Sequence, residues 1–114
     1  MNRPRPVSWI KAALKAFQEF PEPARLVVET ALAIAALGQK ADIAKPLKGF
    51  DDGVFEIALK HRGDAYRAVY AVKIGTDIWV LHAFQKKSKT GIKTPAHEID
   101  VIRQRLNRLK ESLK

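Results

Sequence analysis

Residues 54–85 constrain the fold more than any other stretch. Three runs rich in β-branched and aromatic residues follow one another there, divided by turn signals. Val54 to Lys60 alternates, with Phe55, Ile57 and Leu59 on one side, and Ala65 to Ile74 and Asp77 to Gln85 have the same β character. His61-Arg62-Gly63-Asp64 reads as the first turn and Gly75-Thr76 as the second. Three strands joined in this way are expected to form an antiparallel meander.

A meander fixes which side chains share a face. A loop over 61–64 sets Lys60 opposite Ala65 and Ala58 opposite Arg67. A loop at 75–76 sets Ile74 opposite Asp77, hence Arg67 opposite Phe84 and Ala65 opposite Lys86. Opposed residues point to the same side of a sheet. One face then holds Phe55, Ile57, Leu59, Tyr66, Ala68, Tyr70, Val72, Trp79, Leu81 and Ala83. The other holds Glu56, Ala58, Lys60, Arg67, Val69, Lys73, Val80, His82, Phe84 and Lys86. The first is apolar and suited to cover helices. The second is mixed, with Lys60, Arg67 and Lys86 gathered at one end. A three-residue loop or a bulge in the second hairpin shifts the register by one and brings Lys87 beside Arg67 instead.

The flanking segments supply the layers. Pro6 to Ile10 reads as a short edge strand, Pro6 suiting an edge position. A helix is expected over Lys11 to Phe20. A second has Pro21 and Pro23 in its first turn, Val27, Thr30, Ala31, Ile34 and Leu37 on one face, and Gly38 as its stop. Residues 39–53 read as a long connection crossing one end of the fold. Thr94 as N-cap and Pro95 at the first helical position open a last helix with an apolar stripe of Ile99, Ile102, Leu106, Leu109 and Leu113. The expected class is α+β: an N-terminal strand plus the meander, packed on a helical hairpin, with a C-terminal amphipathic helix. At 114 residues the chain is expected to be one domain, 1–114.

Composition narrows the chemistry. The absence of cysteine excludes disulfides, thiol nucleophiles and cysteine-held metals, and suits a reducing compartment. The N-terminus does not read as a secretory signal, and the apolar run Ala31 to Leu37 is too short to span a bilayer, so a soluble cytoplasmic protein is expected. Nothing calls for a cofactor or for a membrane partner. The net charge of +9 is uneven: residues 1–59 hold eight basic and seven acidic side chains, residues 60–114 thirteen and five. Four lysines and no acid lie between Lys86 and Lys93. Such a field draws polyanions. It equally reads as a solvated basic surface.

Cutting an RNA phosphodiester without metal needs a base for the 2′-hydroxyl, cations for the phosphorane and an acid for the leaving 5′-oxygen. Arg67 suits bidentate phosphate contact, and a lysine whose pKa falls among other cations can move a proton. Phe84 or Tyr66 can stack on a base. His82 reads as a packed strand histidine or a proton-transfer group, His61 as a turn residue placed to touch RNA, and His97 as a surface or capping group. His97-Glu98 is no zinc-protease motif, and without cysteine or a carboxylate cluster a metal site is not expected.

Four runs together resemble the RelE/ParE toxin superfamily, and most of all its HigB-type branch with phage-derived members. They are Lys45-Pro-Leu-Lys-Gly-Phe50, Gly53-Val-Phe-Glu-Ile57, Ala65-Tyr-Arg-Ala-Val-Tyr70 and Val80-Leu-His-Ala-Phe-Gln-Lys-Lys87. The resemblance implies a RelE-like fold and the toxin of a type II toxin–antitoxin system. It implies a metal-independent endoribonuclease that cuts messenger RNA on the ribosome and leaves a 2′,3′-cyclic phosphate. The implied partners are messenger RNA, the ribosome and a helix-turn-helix antitoxin, with operator DNA met only through the antitoxin complex. The family's strand arginine falls on Arg67, its basic residue after the last strand on Lys86 or Lys87, and, less directly, a third basic position on Lys60. His61, Arg62, His82, Phe84, Lys89 and Lys93 are the candidate RNA-binding residues. The chain departs from a common Glu-Leu-Arg pattern by reading Glu56-Ile57-Ala58. A ParE-like inhibitor of DNA gyrase and a non-toxic basic nucleic-acid-binding module are the competing readings.

Overall fold

The computed structural model describes residues 3–51, 53–86 and 93–113. In chain order these form β1 (Val7–Trp9), α1 (Lys11–Gln18), α2 (Glu22–Ala36), β2 (Ala44–Pro46), β3 (Val54–His61), β4 (Asp64–Ala71), β5 (Ile78–Lys86) and α3 (Ala96–Ser112). The strands make one sheet in the order β1-β5-β4-β3-β2. The meander is antiparallel as expected, and β1 joins its edge parallel to β5. No helix among the described residues is long and apolar enough to cross a membrane.

The first hairpin is tighter than expected. Its turn is two residues, Arg62 and Gly63, both at positive φ (51° and 84°). This backbone matches the twist of the flanking strands, and glycine takes its half without a Cβ clash. The register is unaffected: Ala58 still faces Arg67 and Lys60 faces Ala65.

The second hairpin corrects the sequence reading. β4 ends at Ala71 and β5 begins at Ile78, so the turn is a longer loop. Arg5 holds that loop, its guanidinium donating to the Val72 carbonyl at 2.7 Å, Thr76 at 2.9 Å and Asp77 at 3.1 Å. A bulge lies between Val69 and Tyr70: Val69 pairs with His82, but Tyr70 pairs with Val80. One extra residue on β5 offsets the register beyond that point. Val80 therefore packs with the helical hairpin, and Trp79 and Leu81 with α3, the reverse of the faces expected for them. On the open side of the bulge the expected pairs Arg67–Phe84 and Ala65–Lys86 stand.

The connection over 39–53 also differs from expectation, because it contains β2. Lys45 is the one polar residue of Ile43-Ala44-Lys45-Pro46-Leu47, so no alternation marks the strand, while Pro46 fits an outer edge. Three pairs tie this strand to β3: Ala44–Ile57, Lys45–Glu56 and Pro46–Phe55.

Two cores flank the sheet. The larger packs α1 and α2 on Ile57, Tyr66, Ala68, Tyr70, Ile78 and Val80. An aromatic chain runs through it, Trp9–Phe17–Phe20–Tyr66, with centroids 4.8, 5.7 and 4.8 Å apart. Burial pushes the Tyr70 phenol up to about 12, so it stays neutral there. The buried stripe of α2 is Ala24, Val28, Ala31, Leu32, Ala35 and Ala36, not the expected one. Alanines let the helix approach a sheet already filled with aromatic rings, and Val27 and Leu37 are left exposed. The smaller core packs Ile102, Leu106 and Leu109 of α3 on Val54, Val69, Ala71, Ile74 and Leu81. Ile99 is half-buried and Leu113 half exposed, so the stripe frays at both ends.

Candidate functional site

α3 covers only part of its face of the sheet. It lies over the rows Val54–Ala71–Trp79 and Glu56–Val69–His82. The next two rows are Ala58–Arg67–Phe84 and Lys60–Ala65–Lys86, and they hold Arg67, Lys86 and Lys60, the cations expected together.

Arg67 is held from β3. Its Nη1 donates to Glu56 Oε1 at 2.7 Å, and both side chains are 11% exposed. The other carboxylate oxygen, Oε2, accepts from Thr94 Oγ1 at 2.7 Å. Thr94 was expected to cap α3, but Pro95 occupies the N-cap position and no side chain caps it. The threonine instead fastens the start of α3 to the site. Arg67 Nε is buried and has no acceptor among the described residues. An unsatisfied buried donor costs about 1–3 kcal/mol, so such a group is retained where something repays it.

Lys86 is buried on the same face. Desolvation lowers its pKa first, and Arg67 lowers it further, while Glu56 acts in the opposite direction. Lys60 is exposed near the end of β3, next to His61, the strand's last residue, and Arg62 follows in the turn. Lys93 is exposed just before Thr94. Lys87 and Lys89 lie outside the described residues.

His82 sits at the boundary between covered and open rows. Its Nε2 is 2.9 Å from Glu98 Oε1 and its Nδ1 is 3.0 Å from Arg105 Nη1, which also donates to the Leu81 carbonyl at 2.9 Å. Arginine can only donate, so Nδ1 accepts and Nε2 carries the proton toward Glu98. Burial, followed by the nearby Arg105 and His97, lowers the His82 pKa; the Glu98 contact opposes this. Its ring stacks on Phe84 with centroids 4.9 Å apart, and Phe84 is itself buried. The pair thus ties β5 to α3.

A cleft of about 290 Å³ opens beside Arg67, lined by Ile43, Lys45, Glu56, Ala58 and Arg67. Sequence reasoning placed Glu56 on this face without a role, and it missed Lys45 with the edge strand that carries it. No alternation of apolar and polar residues over 43–47 marks that strand.

The geometry is that of a sheet face with one fixed guanidinium, one desolvated ammonium and a carboxylate between helix and strand. Residues 15–107 match the family model described as Phage derived protein Gp49-like. The chain belongs to the Gp49-like family. The RelE/ParE resemblance carried by the strand motifs is borne out by this match and by the fold. The Gp49-like chain is similar in structure to an arginine-substituted mutant of the E. coli toxin RelE in the free state. The TM-score is 0.60 at 18% identity, covering 93% of this chain and 98% of that one. It also matches the toxin–antitoxin complex RelBE2 from Mycobacterium tuberculosis, with a TM-score of 0.46 and 23% identity over 75% of this chain and 94% of that one. No curated protein sequence matches it significantly. The Gp49-like chain therefore has the RelE fold, with its candidate site on the face that α3 leaves open.

Proposed function

We propose that this Gp49-like protein is the toxin of a type II toxin–antitoxin system and an endoribonuclease. In this reading it works in the cytoplasm, cuts messenger RNA on the ribosome without a metal ion, and is neutralised by a helix-turn-helix antitoxin. The fold supports the reading, since the E. coli protein that shares it is named a toxin. The observation that carries it is Arg67: one nitrogen is anchored on Glu56 and the buried Nε has no acceptor among the described residues. A phosphate oxygen is an acceptor that a guanidinium fork fits.

The chemistry follows from that placement. The 2′-oxygen attacks phosphorus, the P–O5′ bond breaks, and a 2′,3′-cyclic phosphate and a 5′-hydroxyl result. Arg67 binds the non-bridging oxygens as charge gathers on the phosphorane. Lys86, its ammonium made more acidic by burial, gives its proton to the departing 5′-oxygen. Glu56 holds Arg67 in line. The proton of the 2′-hydroxyl leaves to a base that the RNA or the ribosome contributes.

The test is induced expression in bacteria with 5′-end mapping of messages. Wild type is compared with Lys86→Gln and with the double variant Glu56→Gln/Arg67→Gln, which removes a buried charge pair together. The expected result is growth arrest with new ends inside translated frames, lost in both variants. Arrest with intact messages would select gyrase or another bound target, and a harmless protein would select the binding-module reading.

A further inference from the structure

The edge strand β2 brings a further cation to the open face. Lys45 pairs with Glu56 across the ladder, and opposed residues point to one side. Lys45 and Arg67 accordingly line the same cleft. The backbone on both sides of Lys45 is fixed: the Ala58 N–H donates to the Ile43 carbonyl at 3.1 Å, and the Leu47 N–H to the Val54 carbonyl at 2.9 Å. Its side chain is exposed and takes part in no hydrogen bond or ion pair among the described residues. Between it and Arg67 the cleft is lined by Ala58 and by Glu56, whose carboxylate is taken up by Arg67 and Thr94. A long side chain at position 58 would fill that space.

The cations lie on a diagonal. Lys86 is on β5 in the Lys60–Ala65 row, Arg67 is on β4 one row nearer α3, and Lys45 is on β2 in the Glu56–Val69 row. With strands about 4.8 Å apart and rows about 6.6 Å apart, the backbones of Lys86 and Arg67 are about 8 Å apart, and those of Arg67 and Lys45 about 12 Å. Lys86 and Arg67 can share one phosphate. Lys45 stands too far along the diagonal to join Lys86 on it.

We infer that Lys45 forms a second phosphate subsite, so that the open face holds at least two phosphates of a single RNA strand laid diagonally from β5 to β2. This rests on the nuclease reading and adds a direction and a minimum length to it. Ala58 leaves the room through which the strand passes.

Binding of 2′-O-methyl RNA oligonucleotides tests the subsite apart from cleavage, because no attacking hydroxyl is present. The full-length chain is titrated with a dinucleotide and a hexanucleotide at several salt concentrations. Lys45→Ala is compared with Lys15→Ala, an exposed lysine on α1 across the sheet. We expect Lys45→Ala to weaken hexanucleotide binding several-fold and to reduce the slope of log K against log salt by about 0.7, the value for one phosphate on a single strand. Lys45→Arg should restore both, and dinucleotide binding should be unchanged. Equal behaviour of Lys45→Ala and Lys15→Ala, with binding still dependent on Lys86, would overturn the subsite and leave the nuclease reading standing. Hexanucleotide binding insensitive to Lys45, Lys86 and the Glu56–Arg67 pair alike would overturn both.

Discussion

The two faces of the sheet solve different problems. The face under α1 and α2 packs apolar and aromatic side chains, the Tyr66 and Tyr70 hydroxyls included, and buries no charged group among the described residues. The face under α3 is apolar along the row Val54–Ala71–Trp79 and turns polar from the row of Glu56 and His82 onward, with Arg67, Glu56 and Lys86 desolvated beside a cleft. Burial on the first face stabilises the fold. Burial on the second perturbs charge, and it does so because α3 stops short. A helix that covered the whole face would have buried the cations without access, and no helix at all would have left them at ordinary solvation.

If that division is right, mutations should separate by face. The largest effect on stability belongs to the hairpin face: Ile57→Ala, fully buried there, should cost about 3–4 kcal/mol in denaturant unfolding. It should leave the residual activity of the folded fraction unchanged. Loss of specific activity in the folded fraction would show that the two faces are coupled.

On the open face the order is reversed. Arg67→Lys keeps the charge beside Glu56 but loses the planar fork. It should reduce cleavage about 100-fold, the scale of losing one transition-state donor, while melting changes little. A collapse in melting temperature of the size expected for Ile57→Ala would assign Arg67 to the fold instead.

At the boundary, His82 should make stability depend on pH. Its pKa in the folded state lies below its usual 6.5. Between those two values the unfolded chain binds a proton that the folded chain refuses, so stability is full above about pH 6.5 and declines as pH falls toward the folded pKa. His82→Asn should flatten that decline in chemical denaturation curves at pH 5 to 8. An unchanged decline would place its origin in another group.

The smallest effect should come from Thr94. Thr94→Val removes one hydrogen bond to Glu56, worth about 1 kcal/mol. It should lower activity several-fold through looser placement of Arg67, without moving the alkaline limb of the pH–rate profile, the limb that loss of the proton Lys86 donates should produce. A shifted limb would mean that Thr94 touches the proton transfer itself.

Much of this division was legible in the sequence. Alternation and turn signals gave the meander, and register arithmetic from the first turn set Ala58 opposite Arg67. The pairs Arg67–Phe84 and Ala65–Lys86 also came out as reckoned, although the turn at 75–76 used to reach them was too short. Two displacements cancelled there, because the longer loop after Ala71 is offset by the bulge at Val69/Tyr70. A bulge adds a residue without a composition signature, and so Trp79, Val80 and Leu81 were assigned to the wrong faces. The α2 stripe was misread because large apolar residues mark a helix face in isolation, whereas an aromatic sheet selects alanines. Lys45 was hidden because a three-residue strand has too little alternation to stand out from a loop. The Glu56 contacts depend on tertiary closure by α3, which periodicity does not encode.

The most direct test of the open face as a phosphodiester-cleaving site is a reconstituted translation reaction with an end-labelled message. Cleavage positions and the chemistry of the new 3′ ends are read for wild type and for Glu56→Gln/Arg67→Gln. The account predicts cuts within the translated frame that end in 2′,3′-cyclic phosphate, absent from the variant although it melts within a few degrees of wild type. An uncut message with wild type, or the same cuts with the variant, would contradict it.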